Sequence, residues 1–319
     1  MRIQTTDLKF RYMNKYRYAG LLLITFLTIS MHAFSQEHNT TELSAIAAVA
    51  PGATLHEVSR RFAFTEGPAA DKAGNIYFTD QPNNRIWKFD TQGQLSLYME
   101  PSGRSNGMYF DPEGNLVSCA DEKDELWSIS PDKKVTVLLR DFQGRRLNGP
   151  NDLWIDAKGG IYFTDPYYQR DYWDRTEPEI KEQRVYYLPK GAKEAIIVED
   201  QLEKPNGIVG TPDGRYLYVA DIQGDKTYKY RIQADGRLGE RQLFVSQGSD
   251  GMTLDNEGNL YLTGRGVTIY DPAGNKLGNI PVSPDWTANV CFGGKDGHTL
   301  FITASKAVYT LQMKVKRAE

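Results

Sequence analysis

The sequence predicts an all-β fold, a six-bladed β-propeller whose blades are four-stranded antiparallel sheets. The first observation behind this prediction is a hairpin unit, two short apolar runs joined by a glycine-containing turn, that occurs six times. The second is the regular spacing of the turn glycines, Gly74, Gly114, Gly159, Gly214, Gly258 and Gly297. They follow one another at intervals of 40, 45, 55, 44 and 39 residues, about the length of one propeller blade.

The six units account for the first two strands of each blade. In chain order they span residues 64–80, 105–121, 147–168, 205–221, 249–264 and 288–304. Apolar runs between the units predict outer strands, among them Arg85–Phe89, Leu126–Ile129, Val185–Leu188 and Thr227–Tyr230. A closed ring needs its two chain ends to pair, and residues 54–64 and 307–315 are the strand-like segments available for this closure.

Residues 1–35 are predicted to be a signal peptide. Basic residues precede an apolar run over residues 18–34, which ends in a small-residue cleavage pattern. A retained membrane anchor is the alternative, but the run is interrupted by polar residues and is short for a membrane span. We therefore expect an exported protein, periplasmic or secreted, that does not contact the membrane after the signal is removed. A linker over residues 36–50 and a propeller domain over residues 51–319 complete the prediction.

Composition narrows the function classes. The chain has 319 residues, 40% of them hydrophobic and 25% charged, which is typical of a globular protein. A net charge of -3 without a long basic run gives no reason to expect nucleic acid, so a small molecule is the expected partner. Cys119 and Cys291 lie in apolar strand-like runs and are predicted to be separate buried thiols, with a disulfide as the alternative.

Nucleophilic catalysis by a triad is disfavoured. The chain has only four histidines, two of them before residue 40, so a Ser-His-Asp arrangement is hard to assemble. Residues 103–107 match the G-x-S-x-G pattern around Ser105. That pattern requires a strand before it and a helix after it, whereas here a turn precedes and a strand follows, so we interpret the match as chance.

A residue with a side-chain oxygen stands eight positions before each turn glycine. These six residues, called the anchors below, are Glu66, Asn106, Asn151, Asn206, Asp250 and Asn289. In a propeller the first strand of each blade lines the axis, so the anchors are predicted to form a ring around it. Two carboxylates and several amide oxygens without His or Cys favour a hard divalent cation, and calcium accepts such ligands better than magnesium does. The structural alternative is that Asn-Gly and Asp-Gly pairs only form turns.

Two further features lie near the predicted ring. The longest interval contains an insertion over residues 166–183, which should overhang the anchors, with Tyr167 and Tyr168 among the aromatic residues of a wall or lid. A loop that packs on its own blade is the alternative. The units also end in aspartates, which we predict to be turn and cap residues: Asp80, Asp121, Asp165 and Asp221.

Four of the anchors lie in motifs that resemble a known family. FTEGP around Glu66, NGPND around Asn151 with the following FTDPYY, KPNGI around Asn206 and SDGMTLDNEGNLY around Asp250 are similar to motifs of the gluconolactonase and regucalcin (senescence marker protein) family of six-bladed propellers. The likeness covers residues 55–310 and is strongest to the microbial gluconolactonase branch. Regucalcin-like members carry an arginine two residues before the third motif's asparagine, where this chain has Gly149.

The resemblance implies a central metal site and an activity. Glu66, Asn206 and Asp250 would hold one divalent cation, usually calcium, and Asn151 would contact the metal or the substrate. The implied reaction is calcium-dependent hydrolysis of a sugar lactone. Beyond the contact from Asn151, we expect substrate contacts from Asp152, Asn106, Tyr167 and Tyr168. Asp250 is the first choice for activating water and Asp152 the alternate, because a metal ligand is a weak base.

Three rivals stay open at this stage. A calcium-dependent esterase or phosphotriesterase would use the same ligands. A non-catalytic propeller that binds a carbohydrate or a protein would not need the two acids on the axis. A lyase or synthase of the strictosidine synthase type would share the six blades but not the metal ligands. The sequence leaves the natural lactone and the oligomeric state undecided.

Overall fold

The computed structural model describes residues 43–282 and 286–318, and these form a ring of six four-stranded antiparallel sheets. The predicted all-β six-bladed propeller is therefore confirmed. The predicted signal peptide and the first part of the predicted linker lie outside the described residues. Within the described residues, no helix is long and apolar enough to span a membrane.

Each blade runs outward from an inner strand at the axis. Blade one comprises β2 (Thr65–Ala70), β3 (Ile76–Asp80), β4 (Arg85–Phe89) and β5 (Leu95–Met99). Blade two comprises β6 (Ser105–Phe110), β7 (Leu116–Ala120), β8 (Glu125–Ile129) and β9 (Val135–Leu139). Blade three comprises β10 (Leu153–Ile155), β11 (Ile161–Asp165), β12 (Arg184–Leu188) and β13 (Ile196–Glu199). Blade four comprises β14 (Pro205–Gly210), β15 (Tyr216–Asp221), β16 (Lys226–Ile232) and β17 (Leu238–Val245). Blade five comprises β18 (Met252–Leu254), β19 (Leu260–Gly264), β20 (Gly266–Tyr270) and β21 (Lys276–Ile280).

The sixth blade closes the ring with both ends of the domain. It combines β22 (Thr287–Gly293), β23 (Thr299–Ala304) and β24 (Ala307–Gln312) with β1 (His56–Ser59), which pairs antiparallel to β24. The predicted closing segments are thus confirmed. Residues 43–50 also belong to the folded domain, because Leu43 and Ile46 are buried in the core beside blades five and six. The end of the predicted linker is therefore part of the propeller.

Apolar side chains fill the spaces between neighbouring blades. Phe78, Phe163, Tyr186 and Tyr261 are among the fully buried side chains of these layers. The strands that carry Phe78 and Phe163 are buried at every position, because each blade packs against a neighbour on both faces. Cys119 and Cys291 are buried and free, which confirms the prediction of separate thiols.

Neighbouring inner strands approach so closely that each blade helps to place the next anchor. The threonine of the repeated FTD sequence donates to the carbonyl oxygen of the following anchor, from Thr79 to Asn106 at 3.3 Å and from Thr164 to Asn206 at 2.8 Å. Gly67 leaves room for this approach, because a Cβ there would overlap the Asn106 carbonyl oxygen. The repeat thus fixes the backbone of the ring at the anchors.

Candidate metal and substrate site

Five of the six anchors are buried and Asp250 is partly exposed, and two pairs of their side chains are in contact. Glu66, Asn106, Asn206 and Asn289 are each at most 5% exposed. Asn206 donates through Nδ2 to Asp250 Oδ1 at 2.9 Å, and Asn289 donates through Nδ2 to Glu66 Oε2 at 3.1 Å. Anchors from blades four and five are therefore in contact, as are those from blades six and one.

Two of the anchor amides hold a buried oxygen without a hydrogen-bond donor. Asn106 Oδ1 and Asn206 Oδ1 are fully buried and accept no hydrogen bond from any described residue. The orientation of the Asn206 amide is fixed, since a flipped amide would place its oxygen against Asp250 Oδ1. Burying an acceptor without a partner costs about 1–3 kcal/mol. These two oxygens are therefore suited to a cation.

Asp152 brings a third carboxylate to the ring. It follows the anchor of blade three, at a position where blades one, two, four and five have glycine. Its Oδ1 accepts from the backbone N–H of Leu153 at 2.9 Å, and its Oδ2 accepts from Asn289 Nδ2 at 3.3 Å. Gly107 of blade two makes room for it, because a Cβ there would overlap Asp152 Oδ1.

Burial dominates the electrostatics of the three carboxyls in the cation-free protein. Burial raises the pKa of Glu66 well above its usual range, and the charges of Asp250 and Asp152 raise it further. Burial likewise raises the pKa of Asp152 to about 7 and that of Asp250 to about 6. Hydrogen bonds to Asp250 from Trp286 and Asn206 oppose its shift. Three acids with few neutralising partners favour either protons or a cation.

We expect ionisation of these carboxyls to make the protein without calcium less stable as pH rises. The folded pKa of Asp250, about 6, lies above its ordinary value of 3.8, so the stability that it contributes is complete below pH 4 and is lost as pH rises through 6. Each pKa unit corresponds to about 1.4 kcal/mol. In chelator, the melting temperature of Asp250→Asn should therefore rise relative to that of the wild type between pH 4 and pH 7. A constant difference across this range would contradict the expectation.

The donor set fits calcium through its amide oxygens. Within residues 43–282 and 286–318, no three carboxylate, imidazole or thiol groups gather closely enough to hold a metal by themselves. A cation would therefore need the asparagine oxygens beside Glu66 and Asp250, and the unpartnered Oδ1 of Asn206 supplies one. Calcium accepts six or more oxygen ligands of both kinds. Asn151 is 7% exposed, and its side chain makes no hydrogen bond to a described residue, so it is also free to bind.

Comparison with known proteins places the chain in a family. The sequence profile described as SMP-30/Gluconolactonase/LRE-like region matches residues 64–306. The chain belongs to this family. The gluconolactonase of Zymomonas mobilis is 31% identical over 284 residues, which cover 79% of this chain and 79% of that protein. The predicted resemblance is thereby confirmed.

Solved structures of similar proteins agree with the family assignment. A gluconolactonase of Xanthomonas campestris superposes with a TM-score of 0.78 at 27% identity, covering 85% of this chain and 93% of that one. Regucalcin of Agrobacterium tumefaciens, described as a calcium-binding protein, superposes with a TM-score of 0.69 and covers 83% of this chain and 95% of that one. At 19% identity it shares the fold.

The insertion over residues 166–183 is called the strap below. It contacts an anchor through Tyr168. The hydroxyl of Tyr168 accepts from Asn206 Nδ2 at 3.0 Å, so the strap overhangs the anchors there. Tyr167 points elsewhere, because its hydroxyl bonds Gln169 of the strap and its ring lies 5.3 Å from the Arg175 guanidinium. The substrate contact predicted for Tyr168 is compatible with this arrangement. The contact predicted for Tyr167 stays a prediction.

The strap also explains the departure at Gly149. A Cβ at this position would lie 2.8 Å from Asp121 Oδ1 and 2.9 Å from the Trp173 ring. Gly149 also has a φ of +131°, which disfavours a side chain. Asp121 and Trp173 of the strap therefore leave no room for a side chain at this position.

Trp286 is a site residue that the sequence analysis missed. Its indole Nε1 donates to Asp250 Oδ2 at 2.6 Å, although the residue is 43% exposed. Together with Asn206, it gives both oxygens of Asp250 a hydrogen bond. The only indication of this contact in the sequence is the position of an aromatic residue just before the inner strand of blade six.

Ser105 and the repeated aspartates lie outside the contacts described above. Ser105 is fully buried on β6, and its hydroxyl donates to the Ser102 carbonyl oxygen at 2.7 Å, so it is no exposed nucleophile. Among the repeated aspartates, Asp80, Asp165 and Asp221 each accept two backbone N–H groups from the loop before the blade. Their prediction as cap residues is confirmed. Asp121 has other partners.

Proposed function

We propose that the protein is a calcium-dependent hydrolase that opens a sugar lactone. The observation that carries this proposal is the set of anchor side chains at the axis, where the charges of Asp152 and Asp250 act on Glu66 and two buried amide oxygens have no donor. The names of the relatives support the substrate class, because the proteins from Zymomonas and Xanthomonas are gluconolactonases. The calcium-binding description of the Agrobacterium protein supports the choice of cation.

Four anchors would hold the cation. Glu66 and Asp250 supply negative charge, and Asn151 and Asn206 supply neutral amide oxygens. When bound there, calcium would act as a Lewis acid on the lactone carbonyl oxygen and lower the cost of the negative charge that develops on it. Asn106, with its unpartnered Oδ1, would accept a hydrogen bond from a substrate hydroxyl or from water at the ring.

We propose Asp152 as the base that activates water. Both oxygens of Asp250, the first choice from the sequence, are hydrogen-bonded, to Asn206 and to Trp286. The contact of Asp152 Oδ2 with Asn289 Nδ2 is longer, at 3.3 Å, although a backbone hydrogen bond from Ile208 also acts on this carboxyl. Burial raises the pKa of Asp152 to about 7 without a cation, and a bound cation would lower it and keep the carboxylate ready to accept a proton. Asp152 Oδ2 would take the proton of the attacking water and return it to the ring oxygen that leaves as an alcohol.

The decisive experiment measures proton release from a panel of lactones in weak buffer, first with a chelator and then after calcium is restored. We expect D-glucono-δ-lactone to be hydrolysed above the spontaneous rate only with calcium. Full activity in chelator would overturn the metal requirement. Calcium binding without hydrolysis of any lactone, combined with cleavage of a phosphotriester, would move the function to the esterase class.

A further inference from the structure

Asp121 differs from the aspartates that occupy the same place in other blades. In blade two the backbone N–H groups of Ser102 and Arg104 are accepted by Asn84 Oδ1, at 2.9 and 2.8 Å. Asn84 therefore provides the cap that Asp80, Asp165 and Asp221 provide elsewhere. The Asp121 carboxylate, which is 2% exposed, is left free for a different role.

The strap uses this carboxylate to hold an arginine. Asp121 Oδ2 accepts from Arg170 Nε at 2.9 Å, from Gln81 Nε2 at 3.0 Å and from the Tyr172 hydroxyl. Trp173 Nε1 donates to the Asp121 carbonyl oxygen at 2.7 Å. Four side chains thus converge on one buried residue. The position of Arg170 is fixed through Nε, while its two terminal nitrogens point away from this contact.

The terminal nitrogens of Arg170 have no hydrogen-bond partner among the described residues, although its side chain is only 24% exposed. A second arginine of the strap shows the contrast. Arg175, at 9% exposure, donates through its terminal nitrogens to Leu147 and Asn148 carbonyl oxygens and to Asp124. Arg175 is a structural residue of the strap. Arg170 is held in place with its donors unused.

Arg170 lies at the edge of the candidate metal site. Its guanidinium is 5.6 Å from the centre of the Tyr168 ring, and the Tyr168 hydroxyl contacts Asn206 at 3.0 Å. Its positive charge also acts on Asp250, whose pKa it lowers against the effect of burial. The unused donors are therefore one side chain away from the anchors.

We propose that Arg170 is a specificity-determining residue that binds hydroxyl groups of the substrate through its two terminal nitrogens. The guanidinium fork presents parallel N–H donors that suit two neighbouring oxygens. Because Asp121 neutralises the charge of Arg170, this ion pair favours neutral hydroxyl groups as partners. It therefore selects polyhydroxylated lactones over unsubstituted ones. This inference rests on the proposed function and names the substrate class of the same site.

The test compares two lactones with one variant. In Arg170→Met, kcat/KM for D-glucono-δ-lactone should fall about 10- to 100-fold, the usual effect of losing hydrogen bonds to a charged group. Most of this fall should be an increase in KM. The value for δ-valerolactone, which lacks hydroxyls, should change less than about threefold. Arg215→Met, at a 73% exposed side chain in the turn at the far end of blade four, is the matched control and should change neither.

A second variant excludes a structural explanation. Arg170→Met leaves the buried Asp121 carboxylate unpaired, which would disturb the strap. The double variant Arg170→Met/Asp121→Asn removes that charge and should show the same loss of selectivity. An equal loss on both lactones in both variants would assign Arg170 a structural role and overturn the inference. No loss on either lactone would overturn it as well.

Binding of a non-reacting ring separates this inference from the proposed function. 1,5-Anhydroglucitol has the sugar hydroxyls but no carbonyl, and calorimetry measures its Kd without hydrolysis. If the wild type hydrolyses no lactone, the proposed function fails. The inference then holds if the Kd for 1,5-anhydroglucitol rises at least about tenfold in Arg170→Met, and it fails if the Kd is unchanged.

Discussion

Glu66→Gln is expected to abolish calcium binding at micromolar concentrations and to reduce lactone hydrolysis at least about 10³-fold. Glu66 is one of the two charged ligands that we assign, and calcium affinity depends strongly on the number of charged ligands. The substitution keeps the size of the side chain and removes only the charge. Calorimetry with calcium and proton release from D-glucono-δ-lactone measure the two effects separately.

The same variant should fold normally, which distinguishes loss of a ligand from loss of structure. Because burial raises the pKa of Glu66 well above its usual range, a neutral side chain removes an unfavourable charge from the calcium-free protein. In chelator, Glu66→Gln should therefore melt no lower than the wild type. Glu113→Gln, an exposed glutamate paired with Lys190, is the matched control. Calcium binding that survives in Glu66→Gln would refute the ligand assignment.

The fold could be predicted because the chain repeats its local signals. Each turn glycine and each anchor recur at a constant offset, and the close approach of the inner strands enforces both. At Gly67 a side chain would overlap the next anchor's backbone. Ring closure was also predictable, since residues 54–64 and 307–315 are strand-like segments at the two ends of the repeat, and β1 and β24 within them pair. Periodicity therefore determined the blades, their number and the location of the anchors.

The parts of the site that do not repeat could not be predicted. Asn84 replaces Asp121 as a cap, and this exchange between blades one and two leaves no periodic signal. Arg170 meets Asp121 across 49 residues of sequence, and Trp286 meets Asp250 across 36. Such side-chain contacts depend on the path of a single loop. The sequence therefore indicated the ring and the nearby Tyr168, but not the roles of Asn84, Arg170 and Trp286.

Asp152→Asn is expected to lower kcat about 10²- to 10⁴-fold, the usual contribution of a general base, while calcium still binds. The asparagine has the same shape and keeps an oxygen for the Leu153 N–H, but it accepts no proton. KM should change little, because Asp152 is not among the proposed ligands. Stopped-flow measurement of proton release, with calcium affinity determined in parallel, gives both quantities.

Asp250→Asn provides the contrast that decides between the two candidate bases. If Asp250 is a ligand, the Asp250→Asn variant should lose calcium affinity and activity together, and a high calcium concentration should restore part of the activity. If Asp250 is instead the base, the Asp250→Asn variant should lose activity at every calcium concentration, and Asp152→Asn should remain active. Both aspartates lie close enough to Glu66 for their charges to act on it, so the matched Asp→Asn changes each remove one carboxylate from the same site. Rescue by calcium in Asp250→Asn, without rescue in Asp152→Asn, is the result that our mechanism requires.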